Sequence, residues 1–302
     1  MCKMKEDNMG WDLYKNGISV SFLQSFLTCQ EQCRLKYIEG WMPKKVPLSM
    51  QFGSLCHKIL ELHNVEEGTK AYRKEFKKEK DLILPSEYEQ LEMAELLAEA
   101  IMPAYFEAWG ANDKKRKWLV KEHRFSMKVE GVKFKGFLDG VFRDDQGGIW
   151  LFESKFMSQI DDDVIQDSIT FDLQCMAYLK YLTTRYDPKT IKGVCYNIVR
   201  RPGQRRGANE SLQKFQARIK NEVSKLSNRD HYFKRWLMHI TPEEIDKYWD
   251  KVLLPVVRHV IHWWDNGMPS YPNPMSLVTK YGKCDMFDLI VFDRTEGYRK
   301  RK

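Results

Sequence analysis

The chain is poor in the features that would place it in several common classes. Its seven cysteines (Cys2, Cys29, Cys33, Cys56, Cys175, Cys195 and Cys284) are scattered, with no Cys-x-x-Cys pair. No run approaches the roughly 20 apolar residues needed to span a bilayer, which argues against a membrane partner. The opening MCKMKEDNMG is polar and charged and does not read as a secretory signal. Reduced thiols and a cytoplasmic location follow as the working expectation, the host cytoplasm if the gene is a phage's. There is no internal repeat, no low-complexity linker and no GxxxxGK(S/T) helicase motif. The sequence therefore suits a free-standing protein or a subunit of a larger machine.

What is present is core material and an excess of positive charge. Of 302 residues, 43% are hydrophobic and 13% aromatic, enough for a buried core, and the net charge is +8. That moderate cationic excess suits a polyanionic partner such as nucleic acid without requiring one.

Hydrophobic spacing predicts helices over residues 17–41, with Ser19 or Ser21 as cap, over 52–62, and from Pro85 to Gly110 with Pro103 inside. After the basic run 114–117 the period changes to that of strands, over 119–127, 132–142 and 149–156. Residues 163–186 read as one long helix and 194–199 as a buried strand. A polar helix over 210–226 and a strand over 236–240 follow. A helix capped by Thr241, with Pro242 and Glu244 behind it, runs to Asn266-Gly267. The order predicts a mixed α/β protein: a helical region over 1–112, and a core with helical closure over 113–302.

The sharpest chemical signal is Gly136-Phe137-Leu138-Asp139-Gly140 followed by Trp150-Leu151-Phe152-Glu153-Ser154-Lys155. The turn-forming segment Asp144-Asp145-Gln146-Gly147-Gly148 separates them. A hairpin centred on Gln146 sets Asp139 nearly opposite Glu153. Glu153 and Lys155, two apart, project from one strand face. Phosphodiester hydrolysis needs such a cluster: carboxylates hold Mg²⁺ through hard oxygens, and a lysine can orient or help deprotonate the attacking water. The carbonyl of Ser154 is a further possible ligand. A cross-strand salt bridge is the plain alternative.

Other residues carry two readings each. His57, on a helix with an apolar face, is either a packed histidine or a metal ligand. Gln174 and Tyr178, at i and i+4, share a helix face that either packs or serves the site. Glu122 is either a fourth acid near the site or a solvent-facing strand residue.

Taken together and in order, Gly53…His57, Gly136…Asp139, Glu153-Ser154-Lys155 and Gln174…Tyr178 resemble the RecB-like branch of the PD-(D/E)XK nuclease superfamily. That branch carries a GxxxH helix, a G-x-x-D strand, an ExK strand and a QxxxY helix. The resemblance spans roughly residues 19–290. It implies a restriction-endonuclease-like α/β core with a central mixed sheet flanked by helices. It further implies Asp139, Glu153 and His57 as ligands of Mg²⁺ or Mn²⁺, and Lys155 as the residue that positions water. Gln174 and Tyr178 would contact DNA or steady the lysine.

Relatives such as the CRISPR-adaptation nuclease and the AddB helicase-nuclease also hold an iron–sulfur cluster. It uses one cysteine after a Ser-x-Ser helix start and three near the C-terminus. Cys29 follows Ser19-Val20-Ser21, but residues 281–287 keep only Cys284. A four-thiolate site needs four sulfurs, and Cys29, Cys33 and Cys284 supply three. No cluster is expected, and apolar contacts must close the domain instead.

The basic stretches 114–117, 200–206 and 299–302 are candidates for phosphate contacts. Within 200–206 the arginines Arg200, Arg201, Arg205 and Arg206 form a candidate strand-guiding loop, or else a solvated turn. In residues 230–236, Lys234 and Arg235 interleave with aromatics, as in a surface that stacks on a base. Core packing of Phe233 and Trp236 is the simpler account there, as it is for Trp263-Trp264. The function so implied is a metal-dependent exonuclease acting on DNA ends, of the phage recombination and replication kind, with a partner protein from those processes as its expected company. An endonuclease, a CRISPR-adaptation-type trimming nuclease and a retired DNA-binding subunit are the alternatives.

Overall fold

The computed structural model describes residues 10–78, 85–279 and 282–301. Cys2, Tyr281 and Lys302, which belong to segments singled out above, lie outside this set. Ser19 leads the chain from a two-residue strand, β1 (Ile18–Ser19), into helix α1 (Val20–Thr28), and its hydroxyl accepts the Phe22 N–H at 3.2 Å. The single helix expected over 17–41 is broken at Cys29. That residue adopts extended backbone, and its sulfur accepts the Gln32 N–H, starting a separate turn at Gln30–Cys33.

Helix α2 (Leu48–Leu62) buries Phe52, Leu55 and Ile59. A helix not expected from the sequence follows, α3 (Val65–Lys78), charged along most of its length, with Val65, Tyr72 and Phe76 at helical spacing. It reaches α2 through Gly68, where an added Cβ would lie 2.6 Å from the Ile59 Cα. Helix α4 (Pro85–Lys115) does not stop at Gly110 but continues five residues beyond it. Gly110 keeps negative φ, so nothing in the backbone there ends the helix.

Five strands then join β1 in a six-stranded mixed sheet: β2 (Lys117–Val129), β3 (Val132–Arg143), β4 (Ile149–Met157), β5 (Ile191–Arg200) and β6 (Phe233–His239). Strand β3 pairs antiparallel with β2 along one edge. Its other edge is shared: β1 runs parallel at Ile18↔Phe134, and β4 runs antiparallel from Arg143↔Ile149 to Gly140↔Phe152. Beyond β4 come β5, parallel, and β6, antiparallel. The β3–β4 turn is centred on Gln146, as expected. Asp144 builds it, accepting N–H groups from Gln146 (3.0 Å) and Gly148 (2.7 Å) and the Trp150 indole N–H (2.8 Å).

The long helix expected over 163–186 is two, α5 (Asp162–Ile169) and α6 (Leu173–Thr183). Asp172 interrupts it by capping the second, accepting the Cys175 N–H at 2.7 Å. Helix α7 (Leu212–Val223) follows β5. The Thr241–Glu244 capping box opens α8 (Pro242–Tyr248), which passes through a π-helical turn into α9 (Leu254–Asp265).

Helices cover both sheet faces. On one, Phe134, Leu138 and Leu151 pack with α6 and with Val257, Val260, Trp263 and Trp264 of α9. On the other, Val199 and Phe233 pack with α2, α4 and α7. Trp41–Pro43 pairs antiparallel with Tyr298–Lys300, over a small core of Leu35, Met286, Leu289 and Tyr298. No helix among the described residues is long and apolar enough to cross a membrane.

Candidate active site

The site lies where the β3–β4 hairpin comes apart. Its ladder ends at Gly140↔Phe152, one step short of Asp139 and Glu153. Strand β4 stays bonded to β5 past this point, so β3 is the strand that departs. Asp139 fills the gap: its Oδ2 accepts the Ser154 N–H at 2.7 Å. The β3 edge between the β1 and β4 pairings is otherwise open, and the Phe137 N–H donates to the Tyr178 hydroxyl at 3.4 Å. Gly136 allows that approach. A Cβ there would lie 2.3 Å from the Phe125 ring and 2.7 Å from that of Tyr178.

Two more groups converge on Asp139. Glu122 sits between the pairs Lys121↔Gly140 and His123↔Leu138, across from Asp139, with a left-handed φ of 44°. From α2, His57 brings Nδ1 to 3.6 Å from Asp139 Oδ1, its ring held edge-on to Phe156 at 4.9 Å. One ligand atom each from His57, Glu122 and Asp139 lies within 4.8 Å of the others. Sequence reasoning left Glu122 undecided although a signal existed. The two-residue turn Glu130-Gly131, both at positive φ, centres the β2–β3 hairpin and thereby pairs position 122 with 139.

Glu153, 1% exposed, belongs to a second cluster. Its Oε1 accepts from Lys155 Nζ at 2.7 Å and from Gln174 Nε2 at 2.8 Å, while Lys155 also donates to Gln174 Oε1 at 2.8 Å. Glu153 and Lys155 are thus ion-paired along one strand rather than across strands, and the pair does not extend to Asp139. Glu153 Oε2 is buried with no hydrogen-bond partner among the described residues. Gln174 is thus hydrogen-bonded to the lysine, whereas the Tyr178 hydroxyl lies at the open edge of β3.

The electrostatics are those of an acid cluster short of positive charge. Burial, and then Asp139, push the Glu122 carboxyl up to about 8. Glu153 is raised for the same reasons, and burial raises Asp139 against the Ser154 N–H and Lys155. Burial lowers His57, leaving a neutral imidazole with a lone pair to give. Lys155 is the reverse case: burial opposes its charge, but Glu153 outweighs it and raises the ammonium well above its ordinary value. Three crowded carboxyls, an unpartnered buried oxygen and a neutral imidazole fit a hard divalent cation.

Behind the site lies a polar chain that sequence reasoning missed. Ser154 Oγ accepts from Asn197 Nδ2 at 3.1 Å, and Arg235 Nε donates to Asn197 Oδ1 at 3.1 Å. Arg235 also donates to Tyr105 Oη at 2.7 Å and to both oxygens of Asp113. Its side chain is 4% exposed, which withdraws it from the expected DNA-contacting set. Lys234 is ion-paired with Asp162. Arg200 donates to the Ser158 carbonyl and to the ring of His231, Arg201 is half-buried, and Arg205 and Arg206 are exposed. Phe233 is core, as the simpler account held.

A family model described as the PD-(D/E)XK nuclease superfamily matches residues 17–255. No curated protein matches the sequence. Among solved structures, the fold is similar to that of an Eubacterium rectale protein described as a candidate exonuclease. The TM-score is 0.53 at 12% identity, covering 98% of this chain and 94% of that one. At such low identity the likeness speaks for the fold alone.

Proposed function

We propose, because the chain belongs to the PD-(D/E)XK nuclease superfamily, that it is a Mg²⁺- or Mn²⁺-dependent deoxyribonuclease that degrades DNA from its ends. The observation that carries this reading is the meeting of His57, Glu122 and Asp139 within 4.8 Å, beside the Glu153–Lys155–Gln174 cluster. The RecB-like branch is favoured because its four sequence motifs all reach this one place.

His57, Glu122 and Asp139 would hold the cation, with Glu153 Oε2 and the Ser154 carbonyl as further oxygens. When bound, the metal supplies countercharge to the phosphate and lowers the pKa of water. Hydrolysis joins a water oxygen to phosphorus and breaks one phosphorus–oxygen ester bond, the leaving oxygen taking up a proton. Lys155, kept protonated by Glu153, acts as a cationic donor that orients water or phosphate, which is the first of the two roles a lysine could take here. Gln174 fixes the ammonium, and Ser154 fixes Asp139. Of the basic groups, the exposed Arg205 and Arg206 are the arginines that the proposed strand-guiding loop would offer to phosphates. Recombination or replication, and a partner protein from those processes, is the setting such an exonuclease suits.

The test is incubation with Mg²⁺ or Mn²⁺ and matched linear and covalently closed circular duplexes, with a chelator control. Loss of the linear DNA alone is the expected result. Cutting of the circle establishes an endonuclease instead, and persistence of both DNAs overturns the reading.

A further inference from the structure

The two strands that deliver Glu122 and Asp139 carry, further along, a row of cations that no described carboxylate pairs. In β3, Lys133, Lys135 and Phe137 are exposed while Phe134 and Leu138 between and beyond them are buried. Strand alternation puts Lys133, Lys135, Phe137 and Asp139 on one face, successive members about 6.8 Å apart. Across the ladder, β2 sets Lys128 opposite Lys133, Ser126 opposite Lys135 and Arg124 opposite Phe137. The Arg124 guanidinium lies 6.0 Å from the centre of the Phe137 ring. Carboxylates pair many cations elsewhere, such as Arg116, Lys180 and Arg258, but Arg124, Lys128, Lys133 and Lys135 form no ion pair with a described residue. Burial, and then the neighbouring Lys133, lower the Lys135 ammonium, as expected where cations gather without counterions.

A cleft of about 690 Å³ lies over Lys133, Lys135 and Phe137, walled by Ser19 and Ser21. A separate small cavity of about 30 Å³ lies beside Asp139, Glu122 and Ser154. A positively charged groove with an exposed aromatic ring is the arrangement that holds single-stranded nucleic acid, phosphates on cations and a base on the ring.

We propose that Lys133, Lys135 and Arg124 form a lane that takes one DNA strand, a base stacked on Phe137, and feeds it to Asp139 separated from its complement. The lane gives the nuclease reading its substrate form and rests on that reading for its purpose. Its binding surface can be tested without cleavage.

The experiment measures binding of a fluorescein-labelled oligothymidylate, and of a blunt duplex of equal length, to the full chain in chelator. Wild type is compared with Lys133→Ala/Lys135→Ala, Phe137→Ala and Phe137→Trp, each first checked for an unchanged melting temperature. Loss of two phosphate contacts lowers the slope of log affinity against log salt by about 1.4 for a single strand. Phe137→Ala weakens single-strand binding roughly tenfold, and Phe137→Trp restores it. Duplex binding changes less in every variant. Unchanged single-strand binding, or equal losses on both DNAs, overturns the lane. Absence of metal-dependent cleavage by a wild type that binds in this way would instead overturn the nuclease reading and leave the lane standing.

Discussion

Gln174 holds Lys155 from one side while holding Glu153 from the other: its Oε1 accepts the ammonium at 2.8 Å, and its Nε2 donates to the carboxylate at 2.8 Å. A single amide thus fixes both members of the charge pair. Gln174→Ala is expected to leave the protein folded and metal-bound but to slow cleavage by about 10–100-fold, the usual effect of losing an outer partner. Single-turnover rates at saturating metal, beside a metal titration, measure this. Unchanged rates would remove Gln174 from the machinery.

Glu122 should make metal-free stability depend on pH. Its folded carboxyl is raised to about 8 from an ordinary 4.5. Between those values the folded state binds more protons than the unfolded, so stability falls as pH rises through the window. In chelator the melting temperature of wild type is expected to drop from about pH 5 to pH 8, and Glu122→Gln to flatten that drop. Saturating Mn²⁺ should stabilise wild type throughout the upper range, whereas Glu122→Gln should bind Mn²⁺ about 10–100-fold more weakly. A Glu122→Gln protein with the wild-type pH profile and Mn²⁺ affinity would exclude Glu122 from the cluster.

The two motif glycines should behave differently. An added Cβ at Gly136 meets the Phe125 ring at 2.3 Å, and that ring is stacked on Tyr181 and cannot yield cheaply. Gly136→Ala is expected to cost about 1–3 kcal/mol, the price of overpacking. At Gly53, inside α2, the nearest atom is the Phe156 Cβ of β4 at 3.8 Å, an ordinary contact. Gly53→Ala should therefore be tolerated or gain up to about 1 kcal/mol of helix propensity. Chemical denaturation of both variants decides the point, and the reverse ranking would contradict the packing described.

Asp144 should support the hairpin without joining the chemistry. It accepts three hydrogen bonds across the β3–β4 turn. Asp144→Ala is expected to cost about 1–3 kcal/mol, with cleavage per folded molecule unchanged. Although burial pulls the other way, the Trp150 indole N–H and then two backbone N–H groups lower its carboxyl below the ordinary 3.8. Its contribution is therefore present above that pH and lost as pH falls through the lower folded value. Equal acid sensitivity of wild type and variant would deny Asp144 this role.

Much of this centre could be read from the sequence because it depends on strand period and turn chemistry, both of which are local. A turn centred on Gln146 and an alternation of two are enough to bring Asp139 and Glu153 to the end of the hairpin ladder, one step beyond its last pair. The helix breaks were less visible. Cys29 and Asp172 each stop a helix by capping the next one, and the apolar spacing continues across both. Helix α3 was missed because it buries few residues, which reach α2 through Gly68. Arg235 looked like a surface cation because its partner, Asp113, lies 122 residues away. The cationic lane went unseen for a related reason: Lys133 and Lys135 alternate with buried residues and form no run.

Lys155 gives the most direct test of the site as a whole. Lys155→Ala should be compared with wild type for single-turnover cleavage of linear duplex in Mg²⁺ or Mn²⁺, with DNA binding measured alongside in chelator. The expected result is near-wild-type binding with cleavage slowed by about 10²–10³-fold or more, the scale of losing one positioned electrostatic donor. Cleavage by the folded variant at the wild-type rate would place the chemistry somewhere other than the Asp139–Glu153–Lys155 centre.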